Sequence, residues 1–328
     1  MKLSLLSLFL FPFHQTIAQA HAHHAVSIIV DTDIGPDYDD VGALAVLHAL
    51  SDKGLAKPLA VMASNKNEFV APSIDVLNTY FGRAELPIAA PKGNAVDIGA
   101  WQKWPQMLVA KYPHNIKTTD EVPDAVKLYR KILSQQPDRS VIIASIGFLT
   151  NLSNLLDSKA DEYSRLSGRE LVKKKVKKLV SMAGWFPEGR EYNLYTDSLA
   201  SDNVFNNWPT TVIFSGFEIG KEIKTGLGLI HDQDLKSPVK DVFAWCIPKA
   251  KEDSAGRMSW DETAVFVAIR GANPYFGLKR GHIIIKGGQN SWKNDPNGSQ
   301  YYLTAAMPYN EIAAILESYM KHQGANKK

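Results

Sequence analysis

Six short β-branched runs in the chain read as strands, and several are apolar without polar alternation, as in sheets covered on both faces. They lie at residues 26–30, 59–62, 141–144, 178–182, 211–214 and 282–286. Stretches with helical spacing alternate with them at 40–50, at 71–81, where Pro72 marks the first turn, and at 124–133, where Ala125, Leu128 and Ile132 share a face. Strand, helix and strand in succession require right-handed crossovers. The predicted fold is therefore α/β: an open, mainly parallel, mixed Rossmann-like sheet with helices on both faces. Of 328 residues, 45% are hydrophobic and 22% charged, which supplies a large core and excludes a disordered chain. Lys+Arg 37 against Asp+Glu 34 leaves a charge of +3, which gives no reason to expect a nucleic-acid partner. The single cysteine, Cys246, excludes an internal disulfide, a CxxC redox motif and a cysteine-based zinc site.

The first twenty residues read differently. Lys2 precedes an apolar run at 3–11, followed by Pro12 and the small-residue pattern Ala18-Gln19-Ala20, which is the make-up of a secretory signal peptide. The run is well short of the roughly 20 residues that span a bilayer. Cleavage after Ala20 is predicted, giving a secreted or periplasmic protein with no membrane span and a single domain over residues 21–328. His21-Ala22-His23-His24 then forms a frayed new N-terminus. Residues 218–248, with GLGL and several polar breakers, read as an insertion or subdomain. The basic stretch LVKKKVKKLV at 171–180 reads as a solvated approach to a buried strand.

The densest chemical signal follows the first strand. IIVDTDIGPDYDDVGALAVL carries five carboxylates within ten residues: Asp31, Asp33, Asp37, Asp39 and Asp40. Like charges this close repel more strongly as water is excluded, so a cation is expected among them. Capping of the next helix by Asp39 or Asp40 would account for one or two acids only. Carboxylates without nearby His or Cys are hard oxygen donors, which selects Ca²⁺ or Mg²⁺ over zinc. In an open α/β sheet, ligands bind beyond the carboxyl ends of the strands. That rule brings Asn65 and Asn67, the segment SIGFLTN at 145–151, and Met182-Ala183-Gly184 to the same edge.

DTDIGPDYDDVGAL, GFLTNL, SMAGW, EYNLYTD followed by NVF, and WDETAVFVA, in that order, resemble the landmarks of the calcium-dependent, inosine-uridine preferring nucleoside hydrolase family. The resemblance runs from about residue 26 to 269; the acidic signature is its specific part, and the shorter motifs gain weight as an ordered set. It implies the nucleoside hydrolase fold, a Ca²⁺ cofactor and a small-molecule ribonucleoside substrate hydrolysed to ribose and free base, as in purine salvage. By the same resemblance Asp33 binds the metal and acts as general base toward water, and Asp40 is a bidentate ligand. Thr150 offers its backbone carbonyl and Asp261 completes the shell. Asp39, Asn65, Glu191 and Asn193 contact ribose hydroxyls. Homo-oligomerisation is left open. Ser259 and Glu262 also spell an SxxE capping box around Asp261.

Two departures point to a divergent, DTDIG-type branch. The paired aspartates come two residues later than in the commonest family spacing, which leaves Asp37 without an assigned role. Trp260 stands where some members have a His that assists the departing base. An indole cannot act as that acid, so either Trp260 stacks on a purine or His231, His282 or Tyr192 supplies the proton. Two other classes compete for the same residues. Asp31-Thr32-Asp33 spells the DxD of a haloacid-dehalogenase-like phosphatase, but LVSMAG is not followed by the acidic pair that chemistry needs. A secreted ribose- or nucleoside-binding protein would keep the metal cup without turnover.

Overall fold

The computed structural model describes residues 25–324. The predicted signal peptide and the HAHH motif lie outside the described residues. In chain order the first half comprises β1 (Val26–Thr32), α1 (Asp39–Asp52), β2 (Ala56–Ala63), α2 (Val70–Tyr80), β3 (Ile88–Ala89), α3 (Trp104–Lys111), α4 (Ala125–Gln135), β4 (Val141–Ile146) and α5 (Thr150–Asp157). Next come α6 (Gly168–Lys175), β5 (Val176–Met182), β6 (Glu188–Arg190), α7 (Tyr192–Thr196), α8 (Ser198–Asn207), β7 (Thr211–Ser215), α9 (Phe217–Gly220), β8 (Lys224–Thr225), α10 (Leu227–His231) and α11 (Pro238–Cys246). The chain closes with β9 (Arg257–Met258), α12 (Trp260–Arg270), β10 (Phe276–Lys286), β11 (Gln289–Asn294), β12 (Gln300–Ala305) and α13 (Tyr309–Met320).

Ten strands form one sheet in the order β3-β2-β1-β4-β5-β7-β12-β10-β11-β6, and β8 pairs with β9 in a separate ribbon. Neighbours are parallel from β3 through β12. β10, β11 and β6 then join antiparallel. The sheet is thus mainly parallel and mixed, as expected, and all six predicted runs are strands, the last within the antiparallel β10. β12 follows every other strand in sequence yet lies inside the sheet, between β7 and β10.

Alternate residues of the central strands feed two cores. On β1, Ile28 and Val30 pack with residues of α1, α11, α12 and α13 on one face, while Ile29 packs with residues of α4, α5, α6 and α8 on the other. Ile142 and Ala144 of β4 repeat the first arrangement and Val141 and Ile143 the second. Burial on both sides is why these strands show no polar alternation. Residues 218–248 do not stand apart: Ile219, Ile223, Leu229, Val239, Val242 and Phe243 are buried in the first core. The basic stretch 171–180 is the end of α6 running into β5, with Leu171, Val172, Val176, Leu179 and Val180 buried beneath its lysines.

The capping box expected at α12 is not formed. Ser259 instead shares a 2.8 Å hydrogen bond with Thr225, and Glu262 is buried with neither carboxylate oxygen paired. This helix starts inside the molecule against α1, where a side chain at Gly42 would overlap the Glu262 carboxylate. A reciprocal box does form at α6, between Ser167 and Glu170, where the helix start is exposed. Tyr38 stands at the cap position of α1 with no side-chain cap, so Asp39 and Asp40 are not used that way. The chain leaves β1 toward β2 on one side, while β4 lies on the other. The loops beyond their carboxyl ends diverge there, opening the crevice characteristic of such a switch point. No helix among the described residues is long and apolar enough to cross a membrane.

Candidate active site

A pocket of about 290 Å³ occupies this edge of the sheet. Asp33, Asp37 and Asp39 line it from the β1–α1 loop, and Ile146 and Met182 from the ends of β4 and β5. Glu191, Tyr192 and Asn193 enter at the start of α7, Phe217 at α9, and Arg257, Trp260 and Asp261 where β9 leads into α12. Gly147 lets the loop after β4 pass directly against Asp33, since a Cβ there would overlap the Asp33 amide and the Ser64 hydroxyl.

Asp37, Asp40 and Asp261 each bring a carboxylate oxygen within 4.8 Å of the others. Asp40 is fully buried; the Thr32 hydroxyl donates to one of its oxygens and the other has no partner. Burial, then the charges of Asp37 and Asp39, push the Asp40 carboxyl well above its ordinary value. Burial followed by Asp39 and Asp40 does the same to Asp261, and burial followed by Asp40 and Asp37 to Asp33. A buried, donorless carboxylate oxygen among like charges is what a hard divalent cation satisfies, so these residues fit one. The closest trio thus includes Asp37, which had no assigned role. Asp33 lines the pocket beside the trio. Thr150 opens α5, and its hydroxyl donates to Asp197 at 2.5 Å.

The residues assigned to the sugar are held by backbone and by charge. Glu191 caps α7: one oxygen accepts from the Asn193 amide at 2.8 Å, the other from the Gly184 and Leu194 amides at 3.2 Å. Burial pushes its carboxyl up to about 7. The Asn193 amide donates to the Met182 carbonyl at 3.2 Å. Asn65 is fully buried, donating to the carbonyls of Asp33 and Ile98 at 3.2 and 2.7 Å and accepting from the amides of Asn67 and Ile98. It clamps the acidic loop and is not part of the pocket wall. Asp39 accepts from Arg257 Nε and Nη2 at 3.1 and 2.7 Å with one oxygen, and from the Asp261 amide at 3.3 Å with the other.

Trp260 lies almost parallel to Phe217, with ring centres 5.1 Å apart, and its indole N–H donates to the Phe217 carbonyl at 2.8 Å. It presents ring surface and no free proton. His231 stands at the exposed end of α10, and His282 pairs with Asp295 at 3.1 Å, so neither reaches the pocket. Tyr192 does; burial, then Asp33 and Asp37, push its phenol up to about 12 and keep it protonated. Asp31 faces away: it is fully buried, accepting from the Tyr129 hydroxyl at 2.8 Å and the Asn151 amide at 3.1 Å. That position removes it as a phosphatase nucleophile. Arg257 and Phe217 were not legible as pocket residues, because their partners lie in distant segments and no short motif contains them.

The sequence matches the family model described as inosine-uridine preferring nucleoside hydrolase over residues 28–298. Among proteins with curated descriptions none matches it. Similar solved structures include a purine-preferring ribonucleoside hydrolase from Gardnerella vaginalis, with TM-score 0.69, 16% identity, and coverage of 90% of this chain and 97% of that one. A plant nucleoside hydrolase, PpNRh1, gives TM-score 0.67 and 18% identity over 90% of this chain and 99% of that one. An inosine-uridine preferring nucleoside hydrolase from Bacillus anthracis gives 0.65 and 13% over 90% and 99%. At these identities the likeness is one of fold, and the family match over most of the chain carries the assignment. The chain belongs to the inosine-uridine preferring nucleoside hydrolase family, whose members are metal-dependent hydrolases acting on N-glycosyl compounds.

Proposed function

We propose that the protein cleaves the N-glycosidic bond of ribonucleosides to ribose and free base, with Ca²⁺ as its cation, after export and removal of residues 1–20. The reading is carried by one convergence: Asp33, Glu191 and Asn193 share a pocket of about 290 Å³ with Asp37 and Asp261 of the acidic trio. Small-molecule sites start at roughly 300 Å³, so the space suits a single nucleoside. Asp33, Asp40, Asp261 and the Thr150 carbonyl would hold the cation, with Asp37 beside them, and an all-oxygen set favours Ca²⁺. When bound, the cation makes water more acidic and orients the sugar hydroxyls.

Asp33 takes the proton from the attacking water, from its place in the pocket wall beside the trio. Glu191 and Asn193 contact the ribose hydroxyls, Asp39 reaches them from its anchored position, and Asn65 acts by fixing the Asp33 loop. Carboxylates around the sugar stabilise the positive charge that builds on it as the bond breaks. Trp260, backed by Phe217, offers its ring to the base and favours purines. The Tyr192 hydroxyl donates to the departing base.

The test is product analysis after incubating purified protein with a nucleoside panel, with Ca²⁺ and with chelator. Ribose and free base are expected only with the ion, and Asp33→Asn should lose about 10²-fold or more in turnover while still binding ribose. Intact nucleosides under every condition would refute the reading. N-terminal sequencing of exported protein should begin at His21.

A further inference from the structure

Arg257 has no part in the reaction above, yet it faces the same pocket and is only 7% exposed. Its Nε and Nη2 donate to Asp39, and Nη2 also donates to Asp37 at 2.5 Å. Its Nη1 lies 3.7 Å from Asp253, which in turn accepts from the Tyr38 hydroxyl at 2.7 Å. Burial works against the guanidinium charge, but Asp39, Asp37 and Asp253 outweigh it and hold the group protonated.

Asp37 is the partner that matters most. The Asp39 side chain is 1% exposed and fixed by burial as well as by its ion pair, whereas the Asp37 side chain is 47% exposed. Without a counter-charge, repulsion from Asp40 and Asp261 would drive Asp37 out toward water. The guanidinium fork suits two carboxylates at once, and a carboxylate has enough lone pairs to serve both an arginine and a cation.

We infer that Arg257 is a positioning residue of the metal centre: by bridging Asp37 and Asp39 it holds Asp37 in place as an additional carboxylate ligand, and so sets the affinity for the divalent ion. The late spacing of the paired aspartates and the arginine three residues before Trp260 then form one device, a ligand and its counter-charge. The inference rests on the reading that the trio takes up a divalent cation.

Calorimetric titration of the metal-stripped full chain with calcium chloride alone tests both and separates them. Wild type should bind one ion; no uptake of any divalent cation would overturn the cation reading and the inference with it. If wild type binds, Asp37→Asn and Arg257→Met should each weaken binding about 10- to 100-fold, the usual effect of losing a supporting group. The double variant should bind no more weakly than the poorer single, because Asp37 without Arg257 has already left the cluster. Arg257→Lys keeps the charge without the fork and should bind severalfold more weakly than wild type; with Asp37→Asn, whose side chain is half exposed, it serves if Arg257→Met does not fold. Wild-type affinity in Asp37→Asn or Arg257→Lys, or losses that multiply in the double variant, would overturn the inference.

Discussion

The two aromatic side chains proposed to share the work on the leaving group, Trp260 and Tyr192, can be told apart. Trp260→Ala removes ring surface and should cost far more turnover on inosine than on an activated nitrophenyl riboside, whose leaving group needs little help; equal losses would mean that the indole only packs the pocket. Tyr192→Phe removes only a hydroxyl and should slow purine nucleosides by about 10²-fold while leaving the activated riboside near wild type. Steady-state rates on the two substrates check both. At this scale the sequence was most legible where acidic residues crowd together. Asp33, Asp37 and Asp40 fall within eight residues, and repulsion among them is reason to expect a cation whatever the fold. Arg257 was invisible because its partners Asp37 and Asp39 lie 220 and 218 residues away. Asn65 was legible as a residue of the right edge, but an amide's spare donors do not reveal whether backbone or sugar will take them.

Helix packing sets two further expectations. Gly42→Ala places a methyl group against the Glu262 carboxylate between α1 and α12 and should lower stability by about 1–3 kcal/mol in denaturant melts. On the same helix His48 is fully buried, accepts or donates one 3.0 Å bond with Asn78, and stacks on Phe81, whose other contacts include His322. Burial, with Arg83 nearby, pushes its imidazole down to about 3. The unfolded chain takes up a proton near pH 6.5 that the folded chain refuses, so this contribution to stability is lost as pH falls below that value. Between pH 7 and 5 the loss is about 2 kcal/mol. His48→Gln should therefore narrow its stability deficit against wild type across that window; a constant deficit would remove His48 from the account. Buried carboxyls such as Asp31, raised to about 7, act in the opposite sense, which is why the comparison is between variants and not of one protein across pH. The parallel strands were legible because both faces are covered. β6 and β11 were not, since EGR and QNSWKN carry the polar residues of an edge partly open to water, and β12 was not, since QYYLTA mixes polar and aromatic residues without an apolar run.

For the whole molecule, stability should depend on the cation. An ion at 100 times its dissociation constant adds about 2.7 kcal/mol, which for a chain of this size corresponds to about 4 °C in Tm. Chelator should remove that increment from wild type and leave Asp40→Ala unmoved; scanning calorimetry with and without Ca²⁺ reads the difference. Asp33, Glu191 and Asp261 come from segments more than two hundred residues apart end to end, so a fragment that assembles the pocket must span at least residues 33–261. The position of β12 adds a constraint of timing. Synthesis delivers β7 and the β10–β11 hairpin before the strand that must lie between them exists. Until residues 300–305 arrive, β7 offers an unpaired edge and the antiparallel flap has nothing to dock on. A nascent chain is thereby kept from closing its sheet until its last strand has been made, which favours any machinery that must act on it before it folds.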